Sequence, residues 1–520
     1  MNLSLTPVRF LRRAMAEYPN KVGIIDGEKR FTYAEFGHRC GQLGSLLREL
    51  GVQPGDRVAF LGLNSHHLLE AYYGVLEAGA VLLPLNVRLA PPELSFILND
   101  AGATVLFYDS ELKPLLETFR KDLTTVRHVF SLEEYDGLLA AREPYFIDWT
   151  QIDENAVAEL FYTSGTTSNP KGVMLTHRNL YLHCFSLLTG VGNLVTMREL
   201  HTIPLFHANG WGRVQTLTCM GGVHVMMRRF DPAQVLALVE RERVEGFAMV
   251  PTMAIALLNC PAMKAEHDLS SLKYVSIGGA ASSPELVAQL EKALGCACYS
   301  GYGLTETSPA MSMSLLKPSL SDPEEFRHTR QSMAGCAFPC TEIRVVDQDM
   351  NDVPCDGQSV GEVVTRGDVV MAGYWRQPEA TAEALRGGWF HTGDLAVIDK
   401  DRYILIVDRK KEIIVSGGEN ISSLEVEKAI LAHPAVYEAA VIPVPDARWG
   451  EVAKGLVSLK SGQQATEAEI IEFVRGRLAH YKVPKTIEFL AELPKSGTGK
   501  ILKRVLREKY WEHLSRRVGT

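Results

Sequence analysis

An α/β fold follows from the sequence: a large N-terminal part of parallel, helix-covered sheets with a β-rich subdomain, then a small, mobile α+β C-terminal part. Three observations predict it. Short apolar runs alternate with amphipathic stretches from the start, the pattern changes to short β-rich pieces after about Pro339, and a smaller set of helices and strands begins near Ile421. A chain of 520 residues also exceeds one ordinary core.

"KVGIIDG" reads as a strand ending in a turn. "TYAEFGHRCGQLGSLLRELG" reads as a helix with Phe36, Cys40, Leu43 and Leu47 on one face, a Thr32/Glu35 capping box at its start and Gly51 closing it. "DRVAFLGL", "HHLLEAYYGVLEAG" and "AVLLPLN" repeat the unit, as do "PPELSFILNDAG" and "TVLFYD". Further on, "HTIPLF", "GVHVMM", "GFAMVP" and "LKYVSIGG" are strands separated by helices such as "PAQVLALVERERV". Parallel sheets of this kind gather ligands at the C-terminal ends of their strands. The β-rich pieces are "TEIRVVD", "GEVVTRG" and "YILIVDRKKEIIVSGG". In the last unit Ser422/Glu425 and Thr466/Glu469 are expected capping boxes. The charged "VDRKK" sets the boundary, giving domains 1–408 and 409–520.

Composition narrows the function. An apolar content of 46% with 22% charged residues is that of a soluble globular protein, and a net charge of -8 argues against a nucleic-acid surface. Arg9, Arg12 and Arg13 interrupt any signal-peptide core, and no uncharged apolar run would span a bilayer. Nine scattered cysteines lack zinc-site spacing and read as reduced, mostly buried thiols of a cytoplasmic protein.

The stretch "YTSGTTSNPKG", residues 162–172, suits an anion. Gly165 lets backbone N–H groups approach, Thr163, Ser164, Thr166 and Thr167 donate from hydroxyls, and Lys171 supplies charge. It is not a Walker loop, because the Gly-Lys order is wrong. In "GYGLTET", Glu306 is a natural Mg²⁺ ligand at a strand end and Tyr302 a ring for stacking on a base. "HTGD" places Asp394 in a tight turn suited to ribose hydroxyls, and Arg409 suits the same sugar or its phosphate. Lys500 lies in "PKSGTGK", near the C-terminus. Taken singly, each has a plainer reading: Glu306 a surface acid, His207 and Trp211 core residues, and Lys503, Arg504, Arg507 and Lys509 the solvated face of a helix.

Their joint order resembles the adenylate-forming superfamily of acyl-CoA synthetases, peptide-synthetase adenylation domains and beetle luciferases, over essentially the whole chain. "YTSGTTSNPKG" looks like its phosphate signature, "GYGLTET" its Glu-bearing motif, "HTGD" its ribose motif, "VDRKKEIIVSGGENISSLEVE" its hinge segment and "PKSGTGK" its terminal lysine motif. The resemblance implies that a carboxylic acid is activated by ATP to an acyl-adenylate and passed to coenzyme A, with AMP and pyrophosphate released. It implies catalytic roles for Lys500, His207 and Glu306, and a metal site at Glu306 and Thr163 for Mg²⁺. The nucleotide would be held by Thr163 to Lys171, Gly279, Ala280, Tyr302, Gly303, Thr305, Asp394 and Arg409. The acyl group would meet His207, Trp211, Gly279 and Ala281, the hinge would be Asp408, and Gly417 and Gly418 would contact coenzyme A. "PLFHANGWG" resembles the gate segment of medium- and long-chain fatty acyl-CoA synthetases, with Trp211 as the gate. The pattern departs at Asn420, where some long-chain members carry an aromatic. An aryl acid, or a carrier protein as acceptor, remains an alternative; oligomeric state is open, a homodimer included.

Overall fold

The computed structural model describes residues 3–163, 169–264, 267–320, 323–410, 412–416, 419–446, 448–496 and 499–511. The chain forms two compact units: residues 1–343 with 365–390, and residues 344–364 with 391–520. The break expected at 408/409 falls inside the second unit.

In the first unit, alternating apolar runs build two sheets. One has seven strands in the order Gly373–Tyr374, Lys171–Thr176, Val157–Thr163, Val81–Pro84, Arg57–Leu61, Ala103–Tyr108 and His128–Ser131. From Val157–Thr163 to His128–Ser131 every neighbouring pair is parallel; the remaining two pairs are antiparallel. The other sheet has nine strands, and its parallel centre includes Val22–Asp26, Val223–Met226, Arg198–His201, Gly246–Met249, Tyr274–Ile277 and Ala297–Gly303. The strand expected over "HTIPLF" stops at His201, since Thr202–Phe206 leaves the sheet.

Helix Tyr33–Glu49 starts at the expected Thr32/Glu35 box, and Gly51 follows it at φ +79°. Phe36, Cys40, Leu43 and Leu47 are wholly buried beside helix His66–Glu77. Spacing of 3.6 residues per turn places them on one stripe, and burying each such side chain stabilises by about 1.5–3 kcal/mol.

The second unit holds most of a four-stranded sheet, which ends in the hairpin Phe390–Ile398/Ile404–Arg409, and a five-stranded C-terminal sheet. Val436–Asp446 pairs antiparallel with Gly450–Leu459, and helices Ser423–Leu431 and Glu467–Arg475 share the core behind them. Thr466 and Glu469 form the expected box. Ser422 caps its helix alone, because the Glu425 carboxylate turns to Lys482 at 2.8 Å. All nine cysteines are free thiols; four are buried and five half-buried.

Candidate active site

The two ends of the stretch expected to bind an anion lie on antiparallel strands, Val157–Thr163 and Lys171–Thr176. Thr163 ends one strand opposite Lys171, which begins the next, so the two stand side by side at the base of the loop. Ser164, Gly165, Thr166 and Thr167 lie outside the described residues. Lys171 Nζ sits 5.0 Å from the centre of the Tyr374 ring, and the Tyr374 hydroxyl donates to Glu306 Oε1 at 3.0 Å. One ring thus joins Lys171 to Glu306, and burial together with the Glu306 charge raises the Tyr374 pKa.

Glu306 sits in the turn Thr305–Thr307 that follows strand Ala297–Gly303. That turn is held by Thr307 Oγ1, which accepts from Leu304 N at 3.0 Å. Gly303 is required there: a Cβ would stand 1.8 Å from the Pro309 carbonyl oxygen. Tyr302, Gly303, Thr305 and Glu306 are all half-buried.

A second group gathers around Trp211. Residues 208–212 run left-handed throughout, with φ of +34° at Ala208, +47° at Asn209, +59° at Gly210, +60° at Trp211 and +80° at Gly212. For the three non-glycine residues this conformation costs roughly 3–6 kcal/mol in all, from about 1–2 kcal/mol each. Buried polar contacts hold the turn. Asn209 Oδ1 accepts from Gly212 N at 2.7 Å, Asn209 Nδ2 donates to Glu159 at 3.0 Å, and Arg213 meets Glu199 at 3.2 Å and the Tyr274 hydroxyl at 2.8 Å.

The turn lays the half-buried Trp211 ring over Gly278 and Gly279, where added Cβ atoms would stand 3.0 and 3.4 Å from it. Gly279 (φ +75°), Ala280 and Ala281 form an exposed loop beyond strand Tyr274–Ile277. His207 precedes the turn. Its surface is half-buried, yet Nε2 is shut off from water with no hydrogen-bond partner. Burial first, then Arg88, draws its pKa down to about 3, so the imidazole is neutral at physiological pH.

In the second unit, Asp394 lies not in a tight turn but on strand Phe390–Ile398, after Gly393 at φ +71°. It faces Arg409 across the hairpin, with Arg409 Nε 3.0 Å from its carboxylate. Lys500 is bonded to Ser496: Ser496 N donates to its carbonyl at 2.6 Å, and its own N–H meets Ser496 Oγ at 3.2 Å. Its pKa is lowered to about 8, chiefly by the Arg409 guanidinium, then by crowding out of water, against the pull of Glu412 and Asp394. The side chain keeps an exposed face, so repulsion by Arg409 is the cause with most weight.

Asp408 is wholly buried. Its carboxylate accepts from Ser423 N at 2.5 Å and Ser423 Oγ at 3.1 Å, at the first turn of helix Ser423–Leu431, where a negative charge is favoured. Gly417 and Gly418 lie outside the described residues.

Sequence reasoning misplaced Lys503 and overlooked Tyr374. Lys503 is not on a solvated face: its ammonium bonds Ser423 Oγ at 2.7 Å and pairs with Glu427 at 2.7 Å and Glu412 at 3.3 Å. A basic helical stripe gives no hint that one member turns inward to a buried and a half-buried acid. For Tyr374 a signal existed in "GYW", an aromatic pair after a glycine, and Gly172 packs closely under Trp375. His66, His67 and Asp136 bring ligand-type atoms within 4.8 Å, but Asp136 already holds Arg39 at 2.7 Å and Lys29 at 3.3 Å.

Comparison with known proteins places the chain in a family. The AMP-binding enzyme family matches residues 11–375, and the AMP-binding enzyme C-terminal domain matches residues 425–500. A long-chain-fatty-acid–CoA ligase of Thermus thermophilus is 39% identical over 515 residues, covering 96% of this chain and 95% of that protein. A feruloyl-CoA synthase of an Amycolatopsis species is 39% identical over 508 residues, covering 97% and 98%. Among solved structures, an anthranilate CoA ligase in complex with anthranoyl-AMP superposes with a TM-score of 0.88 at 28% identity, covering 98% of both chains. A Mycobacterium tuberculosis fatty acyl CoA synthetase gives 0.76 at 32% identity, covering 97% of this chain and 98% of that one. The chain belongs to the AMP-binding enzyme family, in its branch of AMP-forming acyl-CoA ligases.

Proposed function

We propose that this protein activates a medium- or long-chain fatty acid to its coenzyme A thioester in two steps. In the first, an oxygen of the acid attacks the α-phosphorus of ATP and the bond to the β-phosphate breaks, giving acyl-adenylate and pyrophosphate. In the second, the thiol sulfur attacks the acyl carbon, loses its proton, and AMP departs. A carboxylate is a poor nucleophile toward a polyanion, so the protein's share is positioning and charge neutralisation.

The observation that carries this reading is the joining of Lys171 to Glu306 through Tyr374, with Thr163 opposite Lys171 on the neighbouring strand. Lys171 and the hydroxyls would take the departing phosphates. Glu306 and Thr163 offer hard oxygen donors of the kind Mg²⁺ takes, and the ion would offset charge on the pyrophosphate. Asp394 suits the ribose hydroxyls, and Lys500 the carboxylate and α-phosphate as charge builds.

His207, neutral and with Nε2 unpartnered, suits the reacting carboxylate or acyl oxygen. Trp211 over Gly278 and Gly279 suits the wall of an apolar acyl site. An aryl acid is the second reading, favoured by the feruloyl-CoA synthase, which is as similar as the long-chain ligase. AMP release with coenzyme A across straight-chain and aryl acids tests both: a preference for short or aryl acids would refute the fatty-acid assignment.

A further inference from the structure

Strand Val157–Thr163, which runs into the phosphate loop, carries a buried acid at its third position. Glu159 is fully inaccessible, and so are its partners in all but name: Asn209 is 0% and Gln215 2% exposed. Asn209 Nδ2 donates to Glu159 Oε2 at 3.0 Å and Gln215 Nε2 to Glu159 Oε1 at 2.9 Å. Among the described residues no cation pairs with this carboxyl group. Burial raises its pKa to about 8 against the pull of the two amides, so near neutral pH it is mainly the uncharged acid. An acid held only by neutral donors in a core is a poor device for stability, because an apolar residue of the same size would avoid the desolvation.

What the carboxyl group holds is the left-handed turn. Asn209 spends its oxygen inside the turn, on Gly212 N at 2.7 Å, and its amide nitrogen outside, on Glu159. Gln215 comes from helix Arg213–Met220, which begins directly after the turn. Glu159 therefore grips the segment both within the turn and just beyond it. His207 stands immediately before this segment and Trp211 inside it.

We propose that Glu159 is a positioning residue for the ligation, its carboxyl group clamping Asn209 and Gln215 so that the left-handed turn keeps His207 and Trp211 aligned on the acyl substrate. The inference rests on the assignment of His207 and Trp211 to the acyl site. Glutamine at this position is a partial substitute: one carbonyl oxygen can still accept from Asn209, and Gln215 can turn its amide to accept from the new NH₂ group. Gln215 Oε1 has no partner of its own, so that rotation sacrifices no bond.

The test uses the full chain and measures acid-dependent pyrophosphate exchange over straight-chain acids of graded length, with melting temperature recorded alongside. Glu159→Ala should raise the KM for the acid about tenfold or more and flatten the length preference, with E159Q between it and wild type. Asn209→Gly is the second variant, needed if E159A does not fold. Glycine accepts the left-handed backbone without strain, so it removes the clamp while sparing the turn's conformational cost. It should show the same rise in acid KM in the folded protein, at a melting temperature lowered by the loss of the two buried Asn209 hydrogen bonds.

Acid KM and length preference unchanged in folded N209G or E159A, with only a lower melting temperature, would overturn the proposal and leave Glu159 a structural residue. Failure of the underlying assignment looks different: His207→Ala and Trp211→Ala would then leave acid KM and length preference unchanged in an otherwise wild-type chain.

Discussion

Raising the pH through 8 should switch off adenylation and spare thioester formation, because Lys500 loses its proton there. The ammonium pKa is lowered to about 8, with Arg409 the first cause. A folded-state value below the ordinary lysine range means that the charged form is complete well below pH 8 and lost as pH rises through it. At pH 7 about 91% of Lys500 is charged and at pH 9 about 9%, so the apparent rate constant for adenylation should fall about tenfold between them.

The assay is acid-dependent exchange of labelled pyrophosphate into ATP, run beside thioester formation from supplied acyl-adenylate, which should lack this fall. Arg409→Gln removes the main repulsion and should move the alkaline limb upward, whatever it does to the KM for ATP. Lys500→Arg keeps a charge that does not titrate in this range, so its residual activity should show no limb near 8. Lys500→Ala should cost adenylation about 10²–10³-fold while the second half-reaction survives. A limb near 8 that persists in Lys500→Arg, or equal loss of both half-reactions in Lys500→Ala, would refute the reasoning.

Turnover should yield AMP and pyrophosphate; stoichiometric ADP, read by chromatography, would contradict the adenylate route. Trp211→Ala should change the preferred acyl length, each methylene being worth about 1–3 kcal/mol, and an unchanged length profile would make the ring a packing residue only. Asp408→Pro should keep much of the pyrophosphate exchange and lose most thioester formation if φ must change there. Asp408→Asn is its control, since loss of the carboxylate's hold on Ser423 is a separate effect. Gly303→Ala should lower the melting temperature sharply, because its Cβ would overlap the Pro309 carbonyl.

The class of protein was legible in the linear order of motifs because each motif is a local chemical device. A loop of hydroxyls, one glycine and one lysine suits phosphate wherever it stands, and a Thr32/Glu35 box starts a helix with no help from distant residues. The stripe of Phe36, Cys40, Leu43 and Leu47 was likewise readable, since helical period alone sets which residues share a face.

Tertiary structure decided the partnerships. Tyr374 joins Lys171 to Glu306, Glu159 reaches Asn209, Arg409 lowers the pKa of Lys500, and Lys503 turns inward to Glu427. None of these is visible in sequence, because the partners are far apart along the chain and each side chain has an equally ordinary solvated alternative. The left-handed run at 208–212 was hidden for a related reason: local propensity disfavours it, and only buried contacts made by distant strands offset its cost.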